Sequence, residues 1–213
     1  MEYNPKMLEA KRRLLERFRN KERQSSDPER QRLPPGQHLA KGFPILDLGV
    51  RPKFHAEHWR LQVAGEVEEP REWNWEDFCG LPHARQVSDF HCVTTWSKFD
   101  VEWGGVKFVE LAARVRPTPQ ARFVIALSAD GYTTNLPIAD CLDQATLLAD
   151  ALWGEPLPVE HGGPVRLLVP HLYAWKSAKF LRKLVFAKED QPGFWEQRGY
   201  HRRGDPWREE RYG

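Results

Sequence analysis

A chain of 213 residues with 40% hydrophobic and 29% charged side chains, 17 prolines and 15 glycines can bury a substantial core, which excludes collagen-like, coiled-coil and wholly disordered classes. Lys and Arg number 32 against 30 Asp and Glu, so the net charge of +2 gives no broad field for nucleic acid or a membrane surface. The basic excess is terminal, because residues 1–33 hold 10 Lys/Arg and 6 Asp/Glu.

Residues 5–24 predict a basic helix. Pro5 suits its first turn, and Met7, Leu8, Leu14, Leu15 and Phe18 fall on one side. The pair Arg12–Arg13 is followed by Arg17, Arg19, Lys21 and Arg23, where an export signal needs an apolar run, so no export signal is expected. Residues 25–38 combine Ser, Asp, Pro and Gly and read as a linker, which leaves one domain over 39–213. From about residue 40, short apolar segments separated by Pro and Gly predict a strand-rich fold. Trp59, Leu61 and Val63 alternate with polar neighbours up to a break at Gly65. Further strands are expected over 87–93, 122–128, 132–136, 147–152, 165–169 and 181–187, and helices over 106–115 and 138–144. Strands outnumber helices without regular alternation, so the expected class is mixed α+β and not a doubly wound parallel sheet. The tail from Pro192 mixes aromatic residues with charges of both signs and is expected to wrap the domain surface. No stretch approaches the roughly 20 apolar residues of a membrane span. Cys79, Cys92 and Cys141 are odd in number and widely spaced, which offers neither a disulfide framework nor a four-thiolate zinc site. The expectation is a soluble protein in the reducing cytoplasm.

Nucleotide-binding glycine loops, G-x-S-x-G and H-E-x-x-H are all missing, and His55 with His58 lacks a third ligand. Two segments carry chemistry. In D-F-H-C-V-T-T-W-S, Cys92 follows a strand-like run and can sit at a strand end facing a pocket; the alternative is a buried inert thiol, the reading that suits Cys79 and Cys141. In H-G-G-P-V-R-L-L-V-P followed by Y-A-W-K-S-A-K, His161 and Arg166 bracket a strand start, and Ser177 and Ala178 place amides and a hydroxyl between two lysines. Such groups suit a phosphate or another anion, although a basic loop facing water has the same pattern.

These two segments, together with D-G-Y-T-T-N-L-P and L-W-G-E-P-L-P and in this order, resemble the molybdopterin domain of the sulfite oxidase family, in particular its small prokaryotic members. The resemblance runs from about residue 40 to the end and implies a mixed, strand-rich molybdopterin-binding fold. It implies that Cys92 ligates molybdenum beside the two dithiolene sulfurs of one molybdopterin. Ser128, His161 and Arg166 match residues at the cofactor, and Ser177, Ala178 and Lys179 match its phosphate-binding loop. Tyr132 matches a tyrosine near the metal, where a hydroxyl can orient substrate or relay a proton.

The same resemblance exposes departures. Sulfite oxidases carry an arginine five residues after the metal cysteine, and this chain has Ser97 there, with Lys98 beside it. Sulfite is therefore disfavoured as substrate. The asparagine loop that contacts the pterin in relatives has no counterpart near residues 43–48, so no contact is assigned there. No C-x-x-C-H haem motif occurs, so electrons must come from or go to a separate partner. The expected function is two-electron oxo transfer on a small S-oxide, N-oxide or oxyanion. The alternative is a non-catalytic relative that binds nucleic acid or a protein through the basic helix and the Arg/aromatic tail.

Overall fold

The computed structural model describes residues 28–213 of a chain that divides into two compact units, Met1–Pro34 and Pro35–Gly213. In the first, Pro28–Gln31 form a short helix, α1. The helix expected over residues 5–24 lies outside the described residues. The linker expected over 25–38 ends sooner than its composition suggests. His38–Leu39 already form strand β1, a parallel partner of Trp96 and Ser97, and the His38 amide donates to the Thr95 carbonyl at 2.9 Å.

The second unit is a mixed, strand-rich α+β fold built on two sheets. In the six-stranded sheet, β4 (His83–His91) and β5 (Trp96–Lys107) form a long antiparallel hairpin. The opposite edge of β5 pairs with β1 at its start and with β8 (Leu147–Leu152) at its end, and β8 in turn pairs with β9 (Glu155–Pro156) and β10 (Arg166–Leu168). The five-stranded sheet runs β3 (Arg71–Asn74), β2 (Arg60–Gly65), β11 (Leu181–Ala187), β6 (Phe123–Ser128) and β7 (Thr133–Pro137), with only β2 and β11 parallel.

In β2, Leu61 and Val63 are buried and Gln62 exposed, as the alternation requires. Helix α2 (Trp75–Cys79) is capped by Asn74, whose side chain accepts from the Asp77 amide at 2.9 Å. The helix expected over 106–115 begins at Phe108, because Val106 and Lys107 are still paired with Leu148 and Leu147; as α3 (Phe108–Val115) it buries Phe108, Leu111, Ala112 and Val115, the stripe of one helix face. The helix expected over 138–144 closes at Cys141 (α4, Ile138–Cys141).

One apolar cluster, including Phe108, Leu111 and Leu184, fills the space against the five-stranded sheet; a second, around Phe90, Trp103 and Tyr173, lies under the β4–β5 hairpin. Across both the tail is fastened by named contacts: Arg203 meets Asp140 with two bonds of 2.9 and 3.0 Å, and Lys176 and Glu196 form an ion pair at 2.6 Å with both side chains sealed from solvent. Among the described residues no helix is long and apolar enough to cross a membrane.

Candidate active site

The loop between β4 and β5 is residues 92–95, so Cys92 is the first residue of a tight hairpin turn. Its amide donates to the Trp96 carbonyl at 2.8 Å, and its own carbonyl accepts from Thr95 N at 3.1 Å. Thr95 adopts φ +74°, a left-handed conformation that a β-branched residue holds only when its surroundings enforce it. Two remote segments provide that enforcement: Gln37 Nε2 donates to the Cys92 carbonyl at 3.0 Å and Arg211 Nη1 to the Val93 carbonyl at 2.5 Å. The Cys92 side chain thereby borders a cavity of about 290 Å³, with its Sγ 3.1 Å from the Thr94 hydroxyl. Burial pushes the thiol up, and the Thr94 hydrogen bond opposes that shift.

At the other end, β10 places Arg166 in the cavity wall, buried, with its guanidinium lying over the Phe90 and Trp103 rings at 5.2 and 5.4 Å. Its donors go to main-chain carbonyls, His161 O and Ser177 O at 2.8 Å each. Lys179 Nζ likewise donates to Glu160 O at 2.6 Å. Neither cation forms an ion pair among the described residues. Burial lowers Arg166 to about 10, and burial with the Arg166 charge lowers Lys179 to about 8. Asp47 and Asp130 border the same end and offset part of this charge, Asp47 being already engaged by Arg51 at 2.9 Å. Gly162, at φ +105°, explains one glycine of H-G-G-P: a Cβ there would lie 2.8 to 3.0 Å from the Lys179 chain, so only glycine lets that lysine pass into the site.

Aromatic rings connect the two ends. Phe43 stacks on His161 at 4.5 Å, and Tyr200 stacks on Trp195 and meets Trp175 edge-on, both at 5.0 Å. The tyrosines differ in what their hydroxyls do. Tyr132 Oη donates to the Trp175 carbonyl at 2.6 Å, and burial holds its proton on far above the usual phenol range. Burial raises the Tyr200 phenol above its ordinary range, and its hydroxyl has no hydrogen-bond partner among the described residues.

The cavity thus brings together Cys92, Tyr132, His161, Arg166, Ser177 and Lys179 from the residues singled out in the sequence. It leaves out two. Ala178 is packed in the core with its carbonyl accepting from Leu167 N, and Ser128 has a buried hydroxyl with no partner, away from the cavity lining. Of the two lysines flanking Ser177 and Ala178, only Lys179 reaches the site, since Lys176 is consumed by Glu196. Residues 43–48, assigned no contact from sequence, supply Phe43, Pro44, Leu46, Asp47 and Leu48 to the wall. Nothing periodic marks that segment. Asp130 belongs to the D-G-Y motif, while Trp195 and Tyr200 belong to a tail whose composition suggests a surface wrap or, in the alternative reading, a binding segment, and neither points to this cavity. Among the described residues no three His, Cys, Asp or Glu side chains gather at one point, so a metal held by Cys92 would need its other donors from a bound group.

Comparison with known proteins agrees with this arrangement. The family described as oxidoreductase molybdopterin binding domain matches residues 48–195. A Bacillus subtilis (strain 168) protein named uncharacterized oxidoreductase YuiH is 46% identical over 182 residues, 85% of this chain and 92% of that protein. The protein-methionine-sulfoxide reductase catalytic subunit MsrP of Campylobacter jejuni is 30% identical over 67% of this chain, which spans only 54% of that subunit. The sulfane dehydrogenase SoxCD of Paracoccus pantotrophus shares the fold, with a TM-score of 0.60 at 23% identity over 66% of this chain and 41% of that one. A family match across most of the second unit, joined to a relative aligned over nearly its full length, settles the ancestry: the chain belongs to the sulfite oxidase family of molybdopterin-binding oxidoreductases.

Proposed function

We propose that the protein holds one molybdenum–molybdopterin between Cys92 and the Arg166–Lys179 end of the cavity, and that it catalyses two-electron oxo transfer on a small S-oxide, N-oxide or oxyanion. One observation carries this reading. A single cavity is lined by a thiol and by two desolvated cations whose donors meet only main-chain carbonyls. Buried positive charge without a carboxylate partner is unfavourable unless a ligand brings the counter-charge, and a phosphorylated group with soft sulfur donors meets both ends. When bound, the cofactor supplies a redox metal able to accept or yield an oxygen atom with two electrons.

The chain's own residues supply the remainder. Cys92 gives the thiolate, kept in place by the main-chain grips of Gln37 and Arg211. Arg166 and Lys179 bind the anionic end, with the Ser177 hydroxyl beside them accepting from Val169 N at 2.9 Å. Trp175, Trp195 and Tyr200 keep bulk water from the sulfur side. Tyr132 fixes the Trp175 main chain through its hydroxyl, so the role of orienting a substrate oxygen and passing it a proton falls to Tyr200. Reduction of an S-oxide takes up two electrons and two protons and releases water. The relatives described as catalytic subunits support a separate electron-transfer partner for this chain as well. Three free cysteines suit a reducing compartment, and we place the enzyme in the cytoplasm on that ground.

The test is metal analysis joined to visible absorption of protein made with cofactor biosynthesis intact. About one molybdenum per chain is expected in the wild type, and Cys92→Ser, whose cofactor still offers two dithiolene sulfurs and its anion-binding end, should keep metal but lose the cysteine-sulfur-to-metal charge-transfer absorption. The same absorption in the two proteins at equal molybdenum removes the ligand assignment.

A further inference from the structure

We propose that Thr94 is the hydrogen-bond donor to the Cys92 sulfur and that this bond sets how strongly the ligand donates electrons to the metal, an inference that rests on Cys92 being the metal ligand. The two atoms are 3.1 Å apart. In a free thiol either group can donate. A metal-bound thiolate carries no proton, which fixes the direction, and the Thr94 hydroxyl is the donor.

The contact follows from the construction of the turn. Cys92 N and Thr95 N close it, Gln37 holds the Cys92 carbonyl and Arg211 holds the Val93 carbonyl. With those main-chain groups occupied, Thr94 lies two residues after the cysteine, bordering the cavity, with its hydroxyl on the sulfur. The amides of Val93 and Thr94 also act on the sulfur. They belong to the main chain and persist in any side-chain variant, so replacing Thr94 removes one donor and leaves the others.

A hydrogen bond to a ligating sulfur withdraws electron density from it. Donation to the oxidised metal weakens, and the reduced state is favoured. Losing the bond lowers the midpoint potential and moves the sulfur-to-metal charge-transfer band to lower energy. Thr94 is exposed, so its replacement leaves the core untouched.

The experiment compares loaded wild type with Thr94→Val, Thr94→Ala and Thr94→Ser by potentiometric titration followed in visible absorption, normalised to molybdenum content. Thr94→Val and Thr94→Ala should both lower the potential and red-shift the band, and Thr94→Ser should restore both. A band and potential unchanged in Thr94→Val, or a serine variant behaving like valine, overturns the proposal. Cys92→Ser distinguishes this failure from that of the underlying reading. If its charge-transfer absorption matches the wild type at equal molybdenum, the ligand assignment itself is wrong; if that absorption is lost while Thr94→Val is silent, only the role of Thr94 falls.

Discussion

Replacing Lys176 with methionine tests how the site loop is held. The Lys176 ammonium lies 2.6 Å from Glu196 Oε1, both side chains are 0% exposed, and the same oxygen accepts from Trp175 Nε1 at 2.9 Å and Thr134 Oγ1 at 3.0 Å. Lys176 also donates to the Asn135 carbonyl at 2.8 Å and to the Arg202 carbonyl, while Glu196 Oε2 has no partner. Methionine keeps the volume and removes the charge, leaving a buried carboxylate without its counter-ion. Breaking one side of such a pair costs about 3–5 kcal/mol, a large share of the total stability of an ordinary domain. For a chain of this size the corresponding fall in Tm is about 6–20 °C. Urea unfolding should show a lower midpoint with an unchanged slope. The double variant Lys176→Met with Glu196→Leu should recover only part of the loss, because it removes the unpaired charge while Trp175 Nε1, Thr134 Oγ1 and the Asn135 and Arg202 carbonyls lose their partners. A single variant within about 1 kcal/mol of wild type would refute the view that this pair fastens the tail to the loop.

Three further outcomes are expected. Against the upward push of burial, His171 and Arg203 hold Asp140 down to about 2, so its stabilising contribution is complete above the ordinary carboxylate range and is lost as pH falls toward 2; Asp140→Asn should flatten that acid limb in a stability–pH profile, by at most about 2 kcal/mol. Lys179, lowered to about 8, gives up its proton as pH rises through that value. Inorganic phosphate binding to cofactor-free protein, measured by calorimetry, should therefore weaken above pH 8, and Lys179→Met should abolish that dependence. Tyr200→Phe should lower kcat per molybdenum by about 10²-fold with KM little changed, whereas Tyr132→Phe should leave kcat in place and lose about 1–3 kcal/mol of stability, because the buried Trp175 carbonyl is left unsatisfied. The opposite pattern returns the proton role to Tyr132.

The strands over Leu147–Leu152 and Leu181–Ala187 have the limits that sequence suggests, since in each the leucines and other apolar residues cluster, over six and seven positions respectively. The longest strand, β5, is not legible in the same way. Val101 and Trp103 alternate with Asp100 and Glu102, but Trp96 and Ser97 are both buried at its start, and a register shift at Gly104–Gly105 interrupts its end. Ser97 is buried because its hydroxyl pairs with His91 Nδ1 at 2.8 Å, a partner that no periodicity reveals. Strand β3 and helix α2 hide behind one another: R-E-W-N-W-E-D-F-C changes from a period of two to a helical turn at Asn74, whose capping bond marks the boundary only in three dimensions.

The site divides along the same line. Cys92, His161, Arg166 and Lys179 sit in contiguous motifs, so a resemblance carries them across directly. The walls come from segments joined only by folding. The tail is the clearest case, because it grips both ends of the cavity: Arg211 holds the turn that presents Cys92, and Glu196 holds the loop that leads to Lys179. Its other charges are spent on neighbours, Arg202 on Asp190 and Arg203 on Asp140, and its rings at Trp195 and Tyr200 face the cavity. Mixed charge interleaved with aromatics therefore has a physical explanation different from stacking on nucleic acid. Opposite charges let the tail pair its way across the domain, and the rings between them line the cavity that holds the sulfur. A polyanion would have to compete with these pairs for the tail's arginines, which speaks against the tail as a basic stripe; the basic helix expected over residues 5–24 lies outside the described residues.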